Sequence, residues 1–247
     1  GINQTFVSMK EFVNILSYQR VVDGSKFKKK FDGKVSDDDL TRAEKVYLAL
    51  KKTIHSYGFT ALSLRCFDIL ELEKTTGCLA LSALNDEGII AGCEGDMPTA
   101  ISMLLACRLT QKPVFMANPS RVSKDEAVFA HCTVPCSITR DFSLDTHFES
   151  GIGVAVSGKF AEGPITLFKI SATGQSCAIG EGHILSCPQA ADLCRTQVKV
   201  NMAGIEKYLL NNPLGNHQVL IPGHKGKRLE HAASLFGLTQ VFQRDFA

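Results

Sequence analysis

Net charge is nearly missing from this 247-residue sequence: 27 lysines and arginines stand against 25 aspartates and glutamates, a formal charge of +2. A protein that grips a polyanion concentrates positive charge, so nucleic acid and anionic membrane surfaces drop out as expected partners. Long apolar runs are missing too, since none approaches the ~18–20 residues that a membrane-spanning helix needs. No basic-then-apolar leader opens the sequence, and no repeat or low-complexity tract interrupts it. The expected location is therefore cytoplasmic. Apolar residues make up 45% of the sequence, enough for a sizeable core in a length that suits one to two domains. The sequence opens at Gly1 without Met, which fits a cleaved tag and a natural protein that extends further towards its N-terminus.

The nine cysteines, at 66, 78, 93, 107, 132, 136, 177, 187 and 194, are odd in number and lie mostly inside apolar runs, the pattern of reduced, buried thiols. Cys132-x-x-x-Cys136 beside His131 would suit half of a structural zinc site. No second Cys/His pair follows at a fixed spacing, so zinc is the weaker reading.

The first 35 residues show no clean period, and Lys26, Lys28, Lys29 and Lys30 between Gly24 and Gly33 read as a solvated loop. Ser36 followed by three aspartates suits a helix start, and Leu40, Ala43, Tyr47, Leu50 and Ile54 carry a helical period that ends at Gly58, predicting a helix over 37–57. Thr60–Cys66 reads as a strand and Gly77–Leu84 as a short helix. Ile89–Cys93, a helix from Pro98 to Leu109 and Pro113–Ala117 form a strand–helix–strand unit, whose two strands are expected to be parallel neighbours. After Asn118 the texture changes to short runs rich in Val, Ile, Phe and Thr, the spacing of an antiparallel sheet or barrel. A helix over 202–211, a strand over Gln218–Ile221 and a helix over 226–236 return to α/β character. The expected fold class is α/β followed by β, with residues 1–122 as an α/β portion and 123–247 as a barrel domain with a terminal α/β segment.

Ligands collect where strands end in open α/β sheets. Glu94 and Asn118 each follow an apolar strand and are expected to approach one another. Asp96 suits a helix cap and equally a chemical role beside Glu94. Glu94, between Cys93 and Gly95, has no capping job. His55 and His231 lie on amphipathic helices as boundary residues, whereas His217 and His224 sit at turns around one short strand, where side chains can face a cleft.

Four segments carry a resemblance: Asn85-Asp86-Glu87-Gly88, Cys93-Glu94-Gly95-Asp96-Met97, Phe115-Met116-Ala117-Asn118 and Gly215-Asn216-His217. In this order and spacing they resemble the C-terminal part of the L-fucose/L-arabinose isomerase superfamily, in its fucose isomerase-like branch, from about residue 37 onward. The resemblance implies a portion of an α/β middle domain followed by a six-stranded antiparallel barrel, with a further α/β domain upstream. It also implies a divalent metal, commonly Mn²⁺, held by Glu94, position 118 and His217, with Glu94 and Asp96 as catalytic carboxylates and His131 and His224 contacting the sugar. The implied partners are a small sugar substrate and further copies in a homo-oligomer, up to a hexamer. The implied reaction is metal-dependent aldose–ketose isomerisation through an ene-diolate. Position 118 departs from the family pattern: Asn can coordinate a hard cation but carries no charge and cannot act as a base. The alternatives are a non-catalytic carbohydrate-binding or regulatory relative, or an interaction module built on the barrel.

Overall fold

Ser36 begins the longest helix because its hydroxyl accepts from the backbone N–H of Asp39 at 3.2 Å, while three aspartates meet the unpaired amides of the first turn. The structure, a computed structural model, describes residues 2–23, 25–31 and 35–242. This helix, α3 (Asp37–Tyr57), ends at Gly58 in the left-handed conformation and has the limits expected from its period.

The segment before it is not a loop. It holds α1 (Met9–Ser17), capped by Ser8, and α2 (Lys26–Phe31), which buries Phe27 and Phe31 against Tyr47 and Phe142 with ring separations of 5.0 and 6.1 Å. Helices of nine and six residues are too short to display a full hydrophobic period, which is why composition alone suggested a solvated loop. Gly24 and Gly33 lie outside the described residues.

Next come β1 (Ala61–Ser63), α4 (Cys66–Glu73), α5 (Cys78–Asp86), β2 (Ile90–Gly92) and α6 (Met97–Thr110). The expected strand over 60–66 is thus shortened, and Cys66 opens a helix instead. Strands β1 and β2 pair in parallel, Leu62 opposite Ala91. Asn85 pins this unit from inside: its buried amide donates to the carbonyls of Leu81 and Ala91 and accepts from the N–H of Ala91.

The parallel crossover therefore lies one step earlier than expected. The strand after α6, β3 (Phe115–Ser123), does not join β2 but enters a second sheet, antiparallel to its neighbours. An apolar run buried on both faces looks the same in a parallel sheet and in a barrel wall backed by a helix, which explains the error. The remaining strands are β4 (Glu126–His131), β5 (Asp141–Asp145), β6 (Ala155–Lys159), β7 (Gly163–Ile170), β8 (Ser176–Ser186) and β9 (Thr196–Asn201). Then follow α7 (Ile205–Asn211), β10 (Gln218–Pro222), α8 (Gly226–Leu235) and β11 (Thr239–Phe242).

In the order β8-β7-β10-β3-β4-β9 every neighbouring pair is antiparallel, and β9 pairs back onto β8, closing a six-stranded barrel with β11 added in parallel to β8. Strands β5 and β6 form a separate hairpin. The expected boundary at 122/123 falls inside β3, and β10, expected as part of a terminal α/β segment, is a wall strand of the barrel. Helix α6 is the layer between the two sheets: it packs on β1 and β2 and on β3, β7 and β10, and its Ser102 accepts from the N–H of Ile170 at 2.9 Å. No helix among the described residues is long and apolar enough to cross a membrane.

Candidate metal centre

Three adjacent barrel strands carry polar side chains to one rim. In the register of β10, β3 and β4, Gln218 pairs with Ala117, and Asn118 with Ala130. His217, just before β10, and His131, the last residue of β4, therefore flank the Ala117–Asn118 stretch of β3. Their rings lie 5.3 Å apart. The turn from β2 into α6 faces this rim and delivers Glu94, whose Oε1 is 3.5 Å from His217 Nε2 and 3.7 Å from His131 Nε2.

Glu94 adopts a left-handed backbone, φ 58°, uncommon for a residue with a side chain. Its neighbours impose this. The Cys93 carbonyl accepts from Ser63 Oγ and from the Asp96 N–H, both at 3.1 Å, and the Gly95 N–H donates to the Leu64 carbonyl at 3.0 Å.

Asp96 serves as cap and site residue together. It accepts from the Thr99 N–H at 2.8 Å and the Thr99 hydroxyl at 2.7 Å, and its Oδ2 also lies 2.9 Å from His217 Nδ1. A carboxylate only accepts, so Nδ1 carries a proton, and Nε2 keeps its lone pair when the ring is neutral. His217 is 2% exposed, and this Nε2 has no hydrogen-bond partner. His131, also buried, has Nδ1 2.9 Å from Thr133 Oγ1, which leaves its Nε2 directed at Glu94. Glu94, His131 and His217 thus offer three ligand atoms within 4.8 Å of one another.

The electrostatics agree with this arrangement. The His131 and His217 imidazoles beside it hold the Glu94 carboxyl far below the usual carboxylate range. Burial would raise Asp96, but the His217 and Thr99 hydrogen bonds and the nearby Lys169 charge outweigh it and pull it down. Burial likewise opposes the charged form of His217, and the two carboxylates override it, raising its pKa. Lys169 itself is almost completely buried, hydrogen-bonded to Thr99 and 3.8 Å from Asp96.

Asn118 lines the same cavity, with its amide oxygen accepting from Asn216 at 2.7 Å. His131, expected to touch sugar, stands beside Glu94 and His217, where its Nε2 could be a third donor to a cation. Asp96, expected as a proton carrier, has both oxygens engaged and so orients His217. His224 is not in this cavity: it meets Glu181 at 3.3 Å and stacks edge-on with His183 in a separate, open depression. Cys132 shares the cavity with Cys78 and Cys194, whereas Cys136 packs on Ser82, so the pair does not converge as a zinc site would require.

Thr133, His147, Glu149 and Lys169 were not singled out in the sequence. A lysine inside the apolar run Ile165–Ile170 and a threonine two residues beyond His131 are signals that could have found two of them. Glu149 and His147 reach the cavity from the segment before β6, which no local pattern indicates.

The family model for "L-fucose isomerase, C-terminal domain" matches residues 123–242. This part of the chain, just under half of it, is similar to that domain. Among characterised proteins, the chain is 36% identical over 114 residues to a sulfoquinovose isomerase of Clostridium sp. (strain MSTE9), covering 44% of this chain and 24% of that protein. It is 24% identical over 205 residues to a sulfoquinovose isomerase of Alkalicoccus urumqiensis, covering 78% and 46%. A third, from Priestia aryabhattai, is 25% identical over 178 residues, covering 68% and 40%. The chain spans less than half the length of these relatives.

Proposed function

We propose that the chain is part of a divalent-cation-dependent aldose–ketose isomerase whose substrate is a sugar of the kind named in its relatives, sulfoquinovose. The observation that carries this reading is the buried, unpartnered Nε2 of His217 facing Glu94 and His131. One carboxylate and two imidazoles suit Mn²⁺ and its neighbours in the first transition row, and two ligands of one such ion stand about 3–3.6 Å apart, close to the separations here. Glu94, His131 and His217 would hold the ion, with Asn118 as a neutral neighbour. Bound there, a cation supplies positive charge that polarises the sugar carbonyl and steadies negative charge on adjacent sugar oxygens.

The chain's own residues do the rest. Asp96 holds the His217 proton on Nδ1, which directs Nε2 of the neutral ring at the cation, and the Thr133 hydroxyl fixes the orientation of the His131 ring. The Glu94 carboxylate is ionised at neutral pH and partly open to the cavity, so it can take a proton from C2 of the sugar and return it to C1. Asn118 can hydrogen-bond a sugar hydroxyl but cannot carry that proton. The assembly is proposed to be a homo-oligomer on the resemblance alone; a monomer in analytical ultracentrifugation overturns that part.

Mn²⁺ is expected to raise the melting temperature of the protein in proportion to the logarithm of its concentration, by about 2.7 kcal/mol of stability at a hundred times Kd, and Glu94→Ala to abolish the rise. With sulfoquinovose in D₂O, deuterium is expected to enter at C1 of the ketose product, read by NMR. Absence of any cation-linked stabilisation sinks the proposal. The neutral Asn118 favours one second reading, a sugar-binding relative without catalysis. In that case Mn²⁺ and sugar bind, no deuterium enters, and Asn118→Asp creates exchange.

A further inference from the structure

Two thiols that the isomerase reading does not use stand beside the cation site. Cys93 immediately precedes Glu94, and its Sγ lies 2.9 Å from Sγ of Cys66, the first residue of α4. Both are free thiols. Both line the cavity that holds Glu94 and His131, but Cys93 is 2% exposed whereas Cys66 is half-buried. One partner can therefore be reached from the cavity while the other is shielded and already in contact with it, the arrangement of an attacking and a resolving cysteine.

We propose that Cys66 and Cys93 form a reversible disulfide when the protein meets a hydroperoxide, and that this bond weakens cation binding at Glu94. The Cys66 sulfur attacks a peroxide oxygen, the O–O bond breaks, and Cys66 sulfenic acid and one water form. The Cys93 sulfur then attacks the sulfenic sulfur, the S–S bond forms, the S–O bond breaks and a second water leaves. The two thiols lose two electrons, hydrogen peroxide gains them, and both thiol protons end in water.

Closing the bond draws the sulfurs together by about 1 Å. Cys93 can follow only against a pinned main chain, because its carbonyl is held by Ser63 and Asp96 and the Gly95 N–H by Leu64. Glu94 lies between these anchors and its backbone N–H also meets the Cys66 thiol, so a change at the sulfurs is passed directly to the residue that carries the carboxylate. The effect on the cation rests on the proposed function, whereas the covalent step rests on the thiols alone.

The test treats the protein with hydrogen peroxide and maps its unreduced peptides by mass spectrometry, then titrates Mn²⁺ into reduced, oxidised and Cys66→Ser protein. The expected result is a crosslink of the peptides containing Cys66 and Cys93, 2 Da lighter than their sum, reversed by dithiothreitol and missing in Cys66→Ser and Cys93→Ser. Mn²⁺ affinity is expected to fall at least tenfold on oxidation of the wild type, to recover on reduction, and to resist peroxide in Cys66→Ser. A crosslink through Cys132 to Cys78 or Cys194, or sulfinic acid at Cys66 without a crosslink, overturns the disulfide. A crosslink that leaves Mn²⁺ affinity within twofold overturns the regulatory half. Reduced protein that binds no Mn²⁺ sinks the cation reading and leaves the peptide map to decide the thiol chemistry.

Discussion

Glu94 holds its left-handed backbone at a cost on the order of 1 kcal/mol, and the cost can be isolated because alanine and glycine remove the same carboxylate. Glu94→Gly is expected to be about 1 kcal/mol more stable than Glu94→Ala in urea denaturation, and neither variant should bind Mn²⁺. Equal stabilities would show that the turn is not strained. Asp96 invites a different substitution. Asparagine still caps a helix, so Asp96→Asn should fold with a loss near 1 kcal/mol, but one amide oxygen cannot serve Thr99 and His217 as two carboxylate oxygens do. Mn²⁺ affinity by calorimetry is expected to fall about 10–100-fold. Local sequence could propose Asp96 as a cap, which the structure bears out, but not its contact with His217, 121 positions away. It could not assign His131 to Glu94 and His217, because that grouping depends on which strands are neighbours.

Helix α3 could be read from its cap, period and terminal glycine because all three signals are local. The strand pairing of Phe115–Ala117 could not, since the run alone does not reveal whether β2 or β10 lies beside it. The contact between α7 and β10 offers a pH test. The Tyr208 hydroxyl donates to Gln218 Oε1 at 2.9 Å, and burial, the largest influence, pushes its pKa up to about 12. The folded state therefore keeps this proton where the unfolded chain has lost it. The stability it confers is complete below about pH 10 and disappears as pH rises towards 12, up to about 2–3 kcal/mol. Tyr208→Phe should be less sensitive to that pH window in chemical denaturation, and an unchanged slope would show that the hydroxyl is not retained.

The whole barrel depends on the seam where β8 and β9 meet. A side chain at Gly182 would place Cβ 2.1 Å from the carbonyl oxygen of Asn201 on the facing strand. Backbone cannot step aside as a flexible side chain can, so Gly182→Ala is expected to cost about 3 kcal/mol or more. Hydrogen exchange should show protection lost first in β8 and β9; uniform loss over the molecule would mean that the ring does not open there. The barrel as a class could be anticipated from its glycine-broken β-branched runs. Its strand order could not, because closure joins segments far apart in sequence, and that placed β10 outside the ring in the sequence reading.

Of the six strands in the ring, β10 is the last along the chain, and His217 sits at its entrance. A nascent polypeptide emerging from the ribosome therefore displays Glu94 and His131 long before the second imidazole exists. On the proposed reading, ion capture is then a late event that certifies a finished barrel, and an incomplete chain would offer passing metals only half a grip.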